Sequence, residues 1–296
     1  TDSFNGAMVM ANLFEIDPDT KEPLDTFAVA SELEALRGKY EDDKTGVHII
    51  GFSKVMGDVR SGALNVITFF CITIVITALL VWLYSQSFLF SVLPMSCSLA
   101  AVVWQLGTLH LMGYGIDPMS ILVPFLVFAI GVSHGVQMVR VFRNQLFEGV
   151  DPVEAACSAF RELLVPGGVA LLTDTIGFIT ILLIPVPTIR ELAIAASVGV
   201  AAIIVTNLIL LPLMLSYLKP RAGYRERVAR RKEKTVVFWH RVALVTRPRL
   251  AKGLVILGTI LFVLGFDQAA RVEVGDLHQG VPELRPESRY NRDTAV

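Results

Sequence analysis

The sequence predicts a mainly α fold: a polytopic transmembrane bundle of six spans, with partial α+β segments outside the membrane. Two observations carry this expectation. Hydrophobic residues make up 53% of the 296 and charged residues only 18%, with mean hydropathy +0.60, which is more apolar than a soluble domain of this length usually is. The apolar residues are also blocked. No Asp, Glu, Lys or Arg occurs from Ser61 to Ile116, from Pro118 to Val139, or from Leu192 to Leu218. About 20 apolar residues cross a bilayer, so each run is long enough for at least one span.

The first 60 residues are mixed in character. "AMVMANLFEI" and "GVHIIGFSKV" have strand-like content, and "LDTFAVASELEALRGKY" repeats apolar residues at helical spacing (Phe27, Ala30, Leu33, Leu36). The order strand, helix, strand predicts an incomplete α+β subdomain. The charge-free run of 56 residues after it must be two spans. "YSQSF" (84–88) is the polar break between them, with span one near 64–83 and span two near 88–112. "GYGIDP" (113–118) makes the next turn, since Gly and Pro break helices. Span three runs from about Met119 to Phe142. In the connector that follows, Asp151-Pro152 reads as an N-cap with Pro at the first helical position, which predicts a short surface helix. Span four runs from about Val165 to Ile184, "PVPTIRE" turns the chain, and span five runs from about Leu192 to Leu218. Pro124 and Pro212 are expected to kink their helices. Span six is short, near Arg249–Phe266, with Arg249 and Lys252 snorkelling at its end. The chain starts at Thr1 without Met or signal peptide and stops in polar sequence at Val296, so it reads as a piece of a larger protein.

Charge sets the orientation. Residues 219–252 hold 12 Lys or Arg against two Glu, so by the positive-inside rule they are cytoplasmic. Counting spans back makes the 143–164 connector and the "YSQSF" turn cytoplasmic too. Residues 1–60, with 12 acids against six Lys or Arg, fall on the opposite side with 268–296. The basic segment also reads as a helix on anionic lipid, anchored by Phe238 and Trp239.

Function turns on the polar residues inside the spans. "AIGVSHGVQM" (129–138) carries a histidine between two glycines, and "LLTDTIGF" carries an aspartate on the next span. An ionisable group in mid-membrane costs about 2.5–3.5 kcal/mol on insertion scales, so its presence needs a reason. His134 lies six residues before Arg140 and Asp174 eight residues after Pro166, which gives depths of about 9 and 12 Å. On antiparallel neighbours this similarity predicts a facing pair, with Ser133, Thr173 and Thr175 supplying hydroxyls. An imidazole and a carboxylate in low dielectric make a proton-handling site. The competing reading is packing: His134 hydrogen-bonds across helices, and Gly131 with Gly135 form a small-xxx-small pair that permits close approach. For the two glycines packing is the expected role. Asn207 reads as a helix–helix hydrogen bond, and His110 as interfacial.

Other classes find no support. Net charge is −1, which gives no hint of nucleic acid, and no GxxxxGK[ST] pattern, metal-ligand spacing or nucleophile–base–acid set is present. No enzyme activity, cofactor or metal is expected. Cys71 and Cys97 lie in apolar runs and Cys157 in the connector, so no disulfide framework is expected.

The order of elements resembles the resistance-nodulation-division (RND) superfamily, in particular its MmpL-like exporter branch, which is related to sterol-sensing-domain proteins. "GVSHGVQMVRVFRN" is similar in character to the family's fourth-span motif, Gly-x-Asp-Tyr followed by apolar residues and a basic end. "LLTDTIGFITILLIPVPTIRELAIAASVGV" resembles its fifth- and sixth-span stretch, and "LILLPLML" its Leu-Pro ending of span six. The resemblance covers essentially the whole chain. It implies that 1–62 is the end of a periplasmic porter-like domain and 63–218 a five-span bundle. It makes 219–248 a cytoplasmic basic linker or amphipathic helix, 249–267 a further span, and 268–296 the start of a second periplasmic domain. The family's fourth-span Asp is Ser133 here and its Tyr is His134, so His134, with Asp174 from the next helix, is expected to replace the usual carboxylate.

The resemblance implies a proton-driven transporter of the bacterial inner membrane that moves a hydrophobic, amphiphilic or lipid-like molecule. The implied relay is His134, Asp174, Ser133 and Thr173. Membrane lipids, the remaining half of the same transporter, a homo-oligomer and periplasmic or outer-membrane accessory proteins are the partners such a protein admits. The alternative is a lipid-binding or sensing module of the sterol-sensing type, without coupled transport.

Overall fold

The computed structural model describes residues 7–14, 16, 21–22, 24–115, 119–218, 236, 240–272, 280–281, 284–285 and 287–295. Among these the regular structure is helical. Six helices are long and apolar enough to cross a membrane: Asn65–Ser85, Phe88–Leu111, Ser120–Phe147, Pro152–Ile181, Pro187–Ser216 and Pro248–Ala269. The protein is therefore a multi-pass membrane protein by length and composition. The basic segment at 219–248 lies largely outside the described residues.

The chain divides into two compact units, one of Thr1–Asn65 with Gly275–Val296 and one of Val66–Val274. In the first, α1 (Thr26–Tyr40) begins where the Asp25 carboxylate accepts hydrogen bonds from the Phe27 and Ala28 amides at 2.9 and 3.3 Å. Such a cap satisfies amides that have no partner inside the helix. The long helix α2 (Phe52–Ser85) starts in this unit. The short helix α9 (Arg289–Thr294) closes it, capped by the Ser288 hydroxyl, which accepts from the Asn291 amide.

The expected strands are not formed among the described residues. Met8, Val9 and Met10 are exposed, and Gly46–Ile50 is irregular up to the start of α2. A strand is stable only when its backbone pairs with neighbours, and no described segment supplies that partner. The α+β expectation for this region is corrected accordingly: the described residues of this unit are organised by helices.

The centre of the unit is the carboxylate of Asp293, 1% exposed. The Arg37 guanidinium donates to it, as do the Ile49 amide at 3.2 Å and Arg289 Nε at 3.2 Å, and His48 Nδ1 lies 3.1 Å away. Burial pushes the Asp293 carboxyl up, but the Ile49 and His48 hydrogen bonds and the Arg37 and Arg289 charges outweigh it and hold it below its ordinary value.

In the second unit, α2 ends at a turn built by serines. Ser85 Oγ lies 2.7 Å from Ser91 Oγ and accepts from the Ser87 amide at 3.2 Å, while Gln86 takes φ 55°. This is the "YSQSF" break. Helix α3 (Phe88–Leu111) carries Pro94 inside it, and α4 (Val123–Phe147) follows a single 3-10 turn at Ser120–Leu122. Pro124 thus stands in the first turn of α4, where its missing N–H has no role to fill, and starts the helix instead of kinking it.

Helix α5 (Pro152–Ile181) is capped by Asp151, which accepts from the Val153 amide at 3.1 Å. It runs without interruption through Pro166. The expected surface helix and span four are therefore one helix of 30 residues. Membrane helices tolerate an interior Pro because the surrounding structure satisfies the freed backbone groups. Helix α6 (Pro187–Ile203) leads into a π-helical turn (Ile204–Leu210), and α7 (Leu211–Ser216) ends the span, with Pro212 in its first turn. Helix α8 (Pro248–Ala269) is the sixth of the described spans, none of it buried within the chain.

Helices α3 to α7 form the packed core, with Val127, Phe128, Met138, Phe142, Leu171, Ile203 and Leu211 fully buried. The buried row of α6 is mostly small: Ala193, Ala195, Ala196, Ser197 and Gly199. Lipid gives helices no hydrophobic reason to associate, so close packing of small residues supplies the attraction.

Candidate functional site: the two faces of helix α4

Helix α4 meets different partners on two adjoining faces. On the inner side are Gly131 and Gly135, both buried. A Cβ added at Gly131 would lie 2.7 Å from Ser98 Oγ and 3.3 Å from Asn207 Nδ2; one at Gly135 would lie 2.6 Å from Pro94 Cβ and 2.9 Å from Asn207 Oδ1. The two glycines thus open a slot on α4 into which α3 and the amide of Asn207 fit.

Asn207 stands in the middle of the π-helical turn and is 0% exposed. Its Nδ2 donates to Thr206 Oγ1 on the same helix at 3.2 Å, and its Oδ1 has no donor among the described residues. The expected helix–helix hydrogen bond is therefore not what holds Asn207: it touches α4 by contact and bonds within its own helix. A buried oxygen without a donor costs about 1–3 kcal/mol, and π turns concentrate at functional positions. Gln105 on α3 repeats the pattern. It is 0% exposed, its Nε2 donates to the Ala195 carbonyl at 3.1 Å, and its Oε1 has no donor among the described residues. The sequence signal for both was a lone amide in a charge-free span.

On the adjoining face of α4, about 60° round from Gly131, His134 is half-buried. Its Nδ1 lies 3.0 Å from the carbonyl of Ile130 one turn back. A carbonyl only accepts, so Nδ1 carries the hydrogen and Nε2 is left as an acceptor. The ring borders α5 at Gly167, where an added Cβ would lie 3.8 Å from His134 Cδ2.

Asp174 is seven residues past Gly167, about 10 Å further along α5, and exposed. Among the described residues no hydrogen bond joins it to His134. Counted from the loop that links the helices, His134 is 13 residues back from the end of α4 and Asp174 is 22 on from the start of α5, or about 20 and 33 Å. The expected equality of depth came from starting span four at Pro166. The hydroxyls expected beside the pair are committed to their own helix: Thr173 Oγ1 donates to the Val169 carbonyl and Thr175 Oγ1 to the Leu171 carbonyl, each at 2.8 Å. Ser133 is exposed.

The arrangement is a membrane-embedded helix with a histidine ring on one face and, on the adjoining face, a buried amide whose oxygen has no donor among the described residues. It belongs to a multi-pass membrane protein. The chain is a member of the MMPL family, whose family model matches residues 7–251. It is also 24% identical over 137 residues to MJ1562 of Methanocaldococcus jannaschii, a protein named only as a membrane protein; the match covers 45% of this chain and 34% of that one. The chain thus spans about a third of the length of the curated relative it matches.

Proposed function

We propose that this chain is part of a proton-driven transporter of the inner membrane that moves a hydrophobic or lipid-like molecule, with His134 as its titrating group. The observation that carries the reading is the state of the His134 ring. One nitrogen is fixed by the Ile130 carbonyl, and the other has no hydrogen-bond partner among the described residues. Protonating that second nitrogen turns an acceptor into a donor at a point where α4 borders α5. On the adjoining face of the same helix turn, Asn207 Oδ1 lies against Gly135 with no donor among the described residues. A small shift of α4 would change the surroundings of both groups, and the π turn is a segment whose hydrogen bonds can re-register.

Asp174 serves in this proposal as a second, separate station. It sits on an exposed face of α5, open to the remaining half of the transporter, and exchanges protons with His134 through that half or through water, with Ser133 and Thr173 beside the route. Membership in the MMPL family supports transport as the class of activity. The test is proton-gradient-driven transport by the full-length protein reconstituted in vesicles. His134→Ala is expected to abolish it while the protein stays folded and inserted, and Asp174→Asn to reduce it. Normal transport by both variants would rule the relay out.

A second reading is favoured by the surroundings of His134, which hydrogen-bonds only to its own helix among the described residues. Without a partner carboxylate the bundle would hold a lipid and report its presence without coupled transport. The same assay decides: lipid binding with no transport under any gradient favours sensing.

A further inference from the structure

Between α4 and α5 lies a cleft of about 390 Å³, lined by Gln137, Arg140, Val141 and Asn144 on one wall and Glu162 and Leu163 on the other. The α4 residues recur at three- and four-residue intervals and so form one stripe. Arg140 and Glu162 carry opposite charges into this cleft, both are exposed, and no ion pair joins them among the described residues. The cleft is thus polar at two separate points, cationic on one wall and anionic on the other.

Its height is fixed by helix length. The spans Ser120–Phe147 and Pro152–Ile181 have 28 and 30 residues, or about 42 and 45 Å. The hydrocarbon layer is about 30 Å thick, so about 12–15 Å of these helices reaches into headgroups and water. Arg140 is seven residues from the end of α4, which places the cleft at that boundary. Deeper along α5, Val169 and Ile176 follow Glu162 at seven-residue intervals, on nearly the same face, and both are exposed. The groove is therefore charged at its outer end and apolar below.

We propose that this cleft binds a phospholipid with a primary-amine headgroup. Arg140 takes the phosphodiester, with the Gln137 and Asn144 amides as further donors. Glu162 takes the ammonium, and Val169 and Ile176 bed an acyl chain. An ammonium offers three N–H donors to a carboxylate, a quaternary amine offers none, and a glycerol headgroup has no cation. The site should therefore prefer phosphatidylethanolamine over phosphatidylcholine and phosphatidylglycerol. The proposal needs the membrane placement of α4 and α5 but not transport, so a transport-dead His134→Ala protein keeps the preference.

The test is native mass spectrometry of the full-length protein released from vesicles of equal parts phosphatidylethanolamine, phosphatidylcholine and phosphatidylglycerol. The wild type is expected to retain phosphatidylethanolamine about tenfold over the other two, the worth of one charge-assisted hydrogen bond. Glu162→Gln should lose the preference over phosphatidylglycerol, and Arg140→Gln should lose retention of all three, with melting temperatures unchanged because both residues are exposed. Soluble glycerophosphoethanolamine should not compete, since it lacks the acyl chain. An unchanged preference in Glu162→Gln overturns the proposal. So does equal competition by the soluble headgroup, which would assign the cleft to a free zwitterion.

Discussion

The side-chain amide of Asn207 closes over the backbone of Gly135: a Cβ at position 135 would stand 2.9 Å from its Oδ1 and 2.6 Å from the ring carbon of Pro94. A proline ring cannot rotate away. Gly135→Ala should therefore lower stability by about 1–3 kcal/mol through overpacking. Gly131→Ala should do the same, since Ser98 Cβ would lie 2.9 Å from the new methyl. Gly168→Ala meets Leu208 Cδ1 at an ordinary 3.9 Å and should be near neutral on packing grounds. Thermal unfolding of the three variants in one detergent checks the order.

Asn207→Leu separates stability from function. The substitution keeps the branched outline in a somewhat larger side chain and removes an oxygen that has no donor among the described residues, and exchanging an unsatisfied polar group for an apolar one of similar shape is near neutral or stabilising. The melting temperature should hold or rise while transport falls. A large drop in melting temperature would instead assign the amide a structural role.

Asp293 makes the first unit acid-sensitive. Its carboxyl is held below the ordinary value, so its contribution is complete above that value, 3.8, and is lost as the pH falls through the lower folded one. Hydrogen exchange at the Ile49 and Gly51 amides, which donate to Asp293 and Tyr290, should show protection at neutral pH that fades in that acid window. In Asp293→Asn the protection should be weak at neutral pH and carry no such transition.

Arg37→Ala removes a buried cation from a buried carboxylate and should cost about 3 kcal/mol locally. His48→Ala should cost less, because His48 is 43% exposed and water replaces it. Exchange protection at Ile49 in each variant gives the ranking.

Cys157 is a built-in reporter of orientation. It is exposed near the start of α5, whereas Cys97 is buried and Cys71 sits in a span. In intact cells a membrane-impermeant maleimide should miss Cys157 and label a cysteine placed at Lys44. Equal labelling of both would overturn the orientation read from the charges.

The spans were legible because absence of charge over 20 or more residues has few other meanings. The register between α4 and α5 was not. It depended on whether Pro166 starts a helix or lies within one, and the local residues allow either. The strand expectation failed for a related reason: the strand-like content of "AMVMANLFEI" describes side chains, while a strand also needs a partner that lies elsewhere in the chain. Gly131 and Gly135 were visible as a close-packing pair, but not what they pack against. A π turn has no local signature, so Asn207 read as one amide among apolar neighbours, and its place over the two glycines emerged only in three dimensions.

The Asp293 cluster joins residues 256 positions apart, Arg37 and Asp293, with spans between them in the chain. Six candidate spans lie between the two segments of that unit. An even number of crossings returns a chain to the side it left. If one span failed to insert, the count would become odd, and Asp293 would be stranded across the bilayer from Arg37 and His48. The cluster is thus a parity check on insertion. Since Asp293 follows α8 in the chain, the check is read only when synthesis has passed that helix.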